Sequence, residues 1–249
     1  MTTLWFVLLI IGAYLLGSIP TAFLVARWRR GIDLRRHGSG NIGVSNVVAA
    51  GSRWSSLIVI VVDLGKGMAP VLAARQINLP TYEQVIIGLA AICGHNWTVF
   101  LRFNGGRGVL TMLGVIFGLA PGWLAPLLTV IAFAFLPFGL FSVGVLVTLL
   151  LLPILSWFSA GAFGIERSLA LTMGFVAMTG LLLMRRLTAK RTELSSTVST
   201  GEMIVNRLLF DRDIRDRKAW IKQSSTLSGA NGDVSGLNGN GAEKTNGAG

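Results

Sequence analysis

Long apolar runs alternate along this chain with short polar stretches rich in glycine and arginine. The runs cover residues 4–26, 54–74, 83–101, 109–158 and 168–184. About 20 apolar residues in helical form cross the hydrocarbon core of a bilayer. The runs are continuous rather than alternating, which argues for helices over a β-barrel. Pro121-Gly122 and Pro137 with Gly139 divide 109–158 into three pieces. The pattern predicts an all-α integral membrane protein of about seven transmembrane helices. The first run has no charged stretch before it and is too long for a signal-peptide core, so it reads as a retained helix. Gly17 and Pro20 predict a kink near its far end. Gly114 and Gly118 have the small-xxx-small spacing of a close helix contact.

The pattern changes after residue 202. Residues 203–222 mix Ile204, Leu208, Leu209, Ile214 and Trp220 with charged side chains, which fits an amphipathic helix lying on a membrane surface. Residues 223–249 are Ser/Gly/Asn-rich and are expected to be disordered. The expected organisation is a membrane domain over 1–202, an interfacial segment over 203–222 and a tail over 223–249.

Composition supports this reading and orients it. The 249 residues are 52% hydrophobic and only 13% charged. A soluble domain carries roughly twice that charged share. Arg27, Arg29, Arg30, Arg35 and Arg36 follow the first run, and Arg185, Arg186, Lys190 and Arg191 follow the last. The positive-inside rule then puts the N-terminus outside and the C-terminus in the cytoplasm, with 75–82 and 159–167 as outer loops. The net charge of +11 fits cytoplasmic loops facing anionic lipid of the plasma membrane, not nucleic acid. Cys93 is alone, so no intrachain disulfide can form, and its apolar setting reads as core.

Three stretches carry candidate chemistry. Residues 38–46 hold Gly38, Ser39, Gly40, Asn41, Gly43, Ser45 and Asn46 between two apolar runs. A glycine-rich turn can aim backbone N–H groups at an anion. The competing reading is a polar connector between helices. Asp63 and Lys66 interrupt the second run, and at i,i+3 they share a helix face. A charge at mid-span is costly unless paired or facing a polar cavity. The pair therefore fixes helix packing, or Lys66 reaches an anion while Asp63 orients it. Residues 94–108 add His95, Asn96, Arg102 and Arg107 around a second glycine cluster. Arginine matches phosphate bidentately. His95 is either a packing residue or a ligand contact.

Other chemistries lack their residues. The scattered carboxylates do not make a magnesium or calcium cage. Two histidines and one cysteine do not make a usual zinc site, so no metal or cofactor is expected. Gly38, Gly40 and Gly43 meet a G-x-G-x-x-G spacing, but between membrane helices instead of after a strand. The remaining inventory suits a multiply charged phosphate substrate and a reaction driven by positioning and electrostatics.

These stretches resemble the signatures of the bacterial acyl-phosphate:glycerol-3-phosphate acyltransferases. Arg35 through Val47 is similar to their GSGN-P-GATNV region, Asp63-Leu64-Gly65-Lys66-Gly67 to D-x-x-K-G, and Gly94 through Val109 to GH-x-FP-x-FLKFKGGKGVAT. The likeness spans roughly 4–202, in order. It implies a seven-helix enzyme moving an acyl group from acyl phosphate to the 1-hydroxyl of sn-glycerol 3-phosphate. The products would be lysophosphatidic acid and phosphate, in phospholipid synthesis. It also implies an upstream enzyme that forms the acyl phosphate. By position, Ser39, Asn41 and Arg107 would be catalytic. Gly38, Gly40, Ser45, Asn46, Lys66, His95, Asn96, Arg102 and Arg191 would bind substrate.

The chain departs from the family pattern in places. Arg107 stands where lysine is usual, and Ala49 where an arginine follows GATNV, with Arg53 nearby. At the C-terminal signature Arg191 replaces a histidine and Leu194 an asparagine. These changes motivate a competing reading, a diverged paralogue that binds acyl phosphate or lipid phosphate with little turnover; a small transporter of a phosphorylated solute is a second alternative.

Overall fold

The long apolar runs become helical, the first in two pieces and 109–158 in three, because in lipid only the helix satisfies its own backbone polar groups. In this computed structural model the described residues are 2–37, 40–49, 53–120, 122, 124–158, 169–191, 193–216 and 219–220. All regular structure among them is helical. In chain order the helices are α1 (Thr2–Ser18), α2 (Thr21–Arg30), α3 (Val44–Ala49), α4 (Arg53–Gln76), α5 (Thr81–Asn96), α6 (Val109–Leu119), α7 (Leu124–Ala134), α8 (Phe141–Phe158), α9 (Leu169–Leu187) and α10 (Thr200–Phe210).

Among the described residues five helical stretches are long and apolar enough to cross a membrane: Thr3–Arg30, Trp54–Gln76, Thr81–Leu101, Phe141–Phe158 and Leu169–Leu187. Val109–Leu119 and Leu124–Ala134 are apolar but shorter. Together with α8 they occupy the stretch where three spans are expected. The expected outer loop at 159–167 and the tail at 223–249 lie outside the described residues.

The first run breaks between α1 and α2, at Ser18-Ile19-Pro20. Proline has no N–H to continue the ladder. The chain restarts with Leu24 N donating to Pro20 O at 3.0 Å. Gly31 ends α2 in the left-handed region (φ 67°), its N–H meeting the Arg27 carbonyl while the Ile32 N–H meets that of Ala26.

Helices approach closely where both sides are small. A Cβ on Gly17 would strike the Ala91 carbonyl of α5, and one on Gly94 would strike the Tyr14 carbonyl of α1. The α4–α6 crossing works likewise through Gly67 against Thr111 and Gly114 against Leu64, while Gly118 meets Val71. Small residues let backbones pack where lipid supplies no hydrophobic drive between helices. α5 sits centrally, touching α1, α4, α6 and α9. The core cluster gathers Ile92, Leu124, Leu128, Leu152, Phe175 and Met178. Large apolar side chains such as Trp5, Leu8, Ile11, Val61, Phe133 and Phe158 face outward. A soluble surface rarely carries so much apolar area, and a lipid-facing one requires it.

Candidate active site

The broken helix supplies the first wall of the site. Where α1 ends, its last carbonyls have no partner in the ladder. Thr98 Oγ1 donates to the Ser18 carbonyl. Ser18 Oγ donates to Gly94 O at 3.3 Å, and Tyr14 Oη to Trp97 O at 2.8 Å. Lys66 Nζ donates to Ile19 O at 3.0 Å and lies 2.8 Å from Asp63 Oδ1. The i,i+3 pair expected from the sequence is therefore formed, and it is tied across to the kink.

The end of α5 supplies the second wall. Thr98 Oγ1 accepts from Phe100 N and the Phe103 N–H reaches Thr98 O at 2.8 Å, which turns the chain back. Gly106 N then donates to His95 O at 3.0 Å and Gly105 N to Asn96 O at 3.2 Å. His95 is buried, with Nδ1 4.0 Å from Asp63 Oδ1. His95 Nδ1 and both polar side-chain atoms of Asn96 are buried without a hydrogen-bond partner. Such groups are expensive unless a ligand or water completes them.

The loop after α2 closes the site. Asp33 caps the short turn Leu34–Arg36, accepting from Arg35 N at 3.0 Å. Gly40 has φ 67°, a conformation suited to glycine. Asn46 is buried, and its Nδ2 reaches the carbonyls of Leu34, His37 and Asn41 at 3.2, 2.7 and 3.0 Å. Its amide thus ties the loop to itself and has no donor left for a ligand. Asn41 is half-buried and Ser45 exposed. Gly38 and Ser39 lie outside the described residues, as do the side chains of Ala49 and Arg53.

Together these pieces line a small cavity that is partly open to solvent. Its walls are Ser18, Ile19, Pro20, Thr21 and Ala22 from the kink, Ile42 from the first loop, Asp63 and Lys66 from α4, and His95, Thr98, Gly105 and Gly106. The first and third glycine-rich stretches meet at its rim. A Cβ on Gly106 would collide with the His95 ring and the Ile42 carbonyl. All three stretches singled out in the sequence therefore converge on one end of the bundle.

The arginines are placed differently. Arg102 is exposed with φ 53°, and Arg191 is exposed beyond α9. Arg107 Nη1 lies 2.9 Å from Asp211 Oδ1 and within 3.4 Å of the carbonyls of Arg185 and Arg186. Arg185 grips the third stretch: its Nη2 donates to Gly105 O at 2.9 Å and its Nε to Gly106 O at 3.0 Å. Its guanidinium lies over Trp97 at 6.0 Å. In the sequence Arg185 reads only as the inner stop of a span, and Asp211, Thr98 and the kink carbonyls do not stand out. Pro20 was the one available signal for the carbonyls. Nothing local marks the partners of Arg185 and Asp211, which lie far along the chain.

Comparison with known proteins gives the family. The family model for glycerol-3-phosphate acyltransferase matches residues 7–195. Glycerol-3-phosphate acyltransferase 4 of Dehalococcoides mccartyi (strain CBDB1) is 44% identical over 223 residues, 88% of this chain and 94% of that protein. The glycerol-3-phosphate acyltransferase of Geotalea daltonii is 51% identical over 115 residues, 46% of this chain and 59% of that protein. The crystal structure of PlsY, an integral membrane glycerol 3-phosphate acyltransferase, in its glycerol 3-phosphate form superposes with a TM-score of 0.67. It is 28% identical, and the match covers 85% of this chain and 95% of that one. Its lysophosphatidic acid form matches with a TM-score of 0.64. With the family match running over most of its membrane helices, the chain belongs to the glycerol-3-phosphate acyltransferase family.

Proposed function

We propose that this membrane protein transfers an acyl group from acyl phosphate to the 1-hydroxyl of sn-glycerol 3-phosphate. The glycerol oxygen attacks the acyl carbonyl carbon, and a new ester C–O bond forms. The bond from that carbon to the phosphate oxygen breaks. The hydroxyl proton leaves on the departing phosphate, so lysophosphatidic acid and hydrogen phosphate balance the reaction. The electrophile arrives activated, and the protein's task is to position it and to stabilise charge.

The observation that carries this reading is the convergence of three glycine- and cation-bearing stretches on one cavity between Lys66, His95 and Gly106. Ser39, Gly40 and Asn41 are proposed to hold the acyl-phosphate oxygens. Lys66, His95 and Asn96 line the acceptor, and Arg107 contacts a substrate phosphate. The apolar runs support seven spans, and the arginine distribution supports an outside N-terminus and a cytoplasmic site at the plasma membrane. An enzyme that forms acyl phosphate must act upstream.

The test is phosphate release by purified protein in detergent, with acyl phosphate present. Release that requires glycerol 3-phosphate, with lysophosphatidic acid appearing one for one, is the expected result. Release indifferent to the acceptor, or none, overturns the reading.

A further inference from the structure

The family match ends at residue 195, yet the chain beyond it is tied to the site. Arg186 Nη1 donates to Leu208 O at 2.7 Å, and Arg207 Nη1 to Leu187 O at 2.5 Å. Arg207 Nε meets Asp213 Oδ1 at 2.7 Å with both side chains buried. Ser195 Oγ bonds the other carboxylate oxygen of Asp213, and Asn206 Nδ2 donates to Asp213 O at 3.2 Å. Ser199 caps α10, accepting from Glu202 N at 3.2 Å. These contacts make residues 195–213 a strap fastened across the end of α9.

Asp211 is the residue at which the strap reaches Arg107. It ends α10 in the left-handed region (φ 57°), its N–H bonded to Arg207 O, and it lies 2.9 Å from Arg107. Arg107 also leans on the carbonyls of Arg185 and Arg186, while Arg185 holds the carbonyls of Gly105 and Gly106. Every one of those Arg107 contacts is made by Nη1. A guanidinium is a rigid fork of five donors, so fixing Nη1 fixes the direction of the Nε–Nη2 edge. That edge suits bidentate contact with a phosphate.

We propose that Asp211 is a positioning residue for Arg107: the strap beyond the family match orients the guanidinium that the site uses. This rests on the proposed contact between Arg107 and a substrate phosphate. The strap itself is held by Arg186, Arg207 and Asp213, so loss of the Asp211 charge leaves the fold in place and frees only the direction of Arg107.

The experiment uses the full chain in detergent, with acyl phosphate and glycerol 3-phosphate. Asp211→Asn is expected to lower kcat about fivefold, with KM for glycerol 3-phosphate within about twofold and Tm within about 3 °C of wild type. Asp211→Glu should recover at least half of the lost rate. In an Arg107→Gln background, Asp211→Asn should have no further effect. An unchanged kcat overturns the proposal. So does a raised kcat, which would make Asp211 a competitor of substrate for Arg107. So does additivity with Arg107→Gln. An inert wild-type protein removes the functional reading and this inference together, whereas an active one with indifferent Asp211 variants removes only the inference.

Discussion

Removing Lys66 and then removing its partner separates structural from chemical roles in the site. The Lys66 and Asp63 side chains are 2% and 3% exposed and 2.8 Å apart. At an effective dielectric near 20, that separation gives a gross attraction of about 6 kcal/mol. Taking each charge out of water costs several kcal/mol, so the pair adds little net stability. Breaking it is another matter. Lys66→Met leaves a carboxylate uncompensated in the bundle, which costs about 3–5 kcal/mol. For a chain of this size that corresponds to a fall in Tm of roughly 6–20 °C. Asp63→Leu added to Lys66→Met removes the stranded charge, and stability returns to within about 1 kcal/mol of wild type. Activity does not return. The ammonium facing the cavity is gone, and a positioned donor to developing charge is worth about 100-fold or more in kcat. Thermal unfolding in detergent, run beside phosphate release, reads both quantities. A double variant that melts as low as the single one refutes the electrostatic argument. One that regains turnover shows that Lys66 only holds helices together.

Three further outcomes are expected. Gly106→Ala pushes a methyl group into the His95 ring and the Ile42 carbonyl, so turnover should fall at least about tenfold while Tm changes by a few degrees, measured by the same paired assays. Asn46→Ala removes the donor that ties three carbonyls of the 34–46 loop, at about 2 kcal/mol locally, and hydrogen exchange should quicken there and not in α5. The side-chain bond from Arg35 holds the Asp33 carboxyl below its ordinary value of 3.8. A depressed carboxyl contributes stability above that ordinary value and loses it as pH falls through the folded one. Asp33→Asn should therefore lower stability by less than about 1 kcal/mol near pH 6, with the gap to wild type closing below pH 3.8 in a melting series.

The spans were legible because a bilayer imposes one length on every crossing helix, and α4, α5 and α9 follow their apolar runs closely. Two local rules also carried through. Pro20 broke the first helix where it had to, and the i,i+3 spacing of Asp63 and Lys66 became an ion pair. Gly114 and Gly118 became contacts on α4. The crossing of Gly17 and Gly94 was not legible, because a glycine does not name the backbone that it admits. Asn46 shows a second limit. An amide in a glycine-rich loop can serve a ligand or its own loop, and only the fold decides, here for the loop. Arg107 shows a third. Its partner Asp211 lies in a segment that the sequence pattern assigned to the membrane surface, so no local pattern joins them.

The interruption at Pro20 has a consequence for anyone seeking a sturdier protein. A continuous helix from Thr2 to Arg30 would be more regular, and Pro20→Ala invites that repair. The carbonyls of Ser18 and Ile19 would then turn inward to neighbouring amides, away from Thr98 and Lys66. Rigidity gained along the first helix would be taken from the cavity, so on the proposed function a flaw in regular structure serves the site, and thermostability and turnover pull in opposite directions at that position.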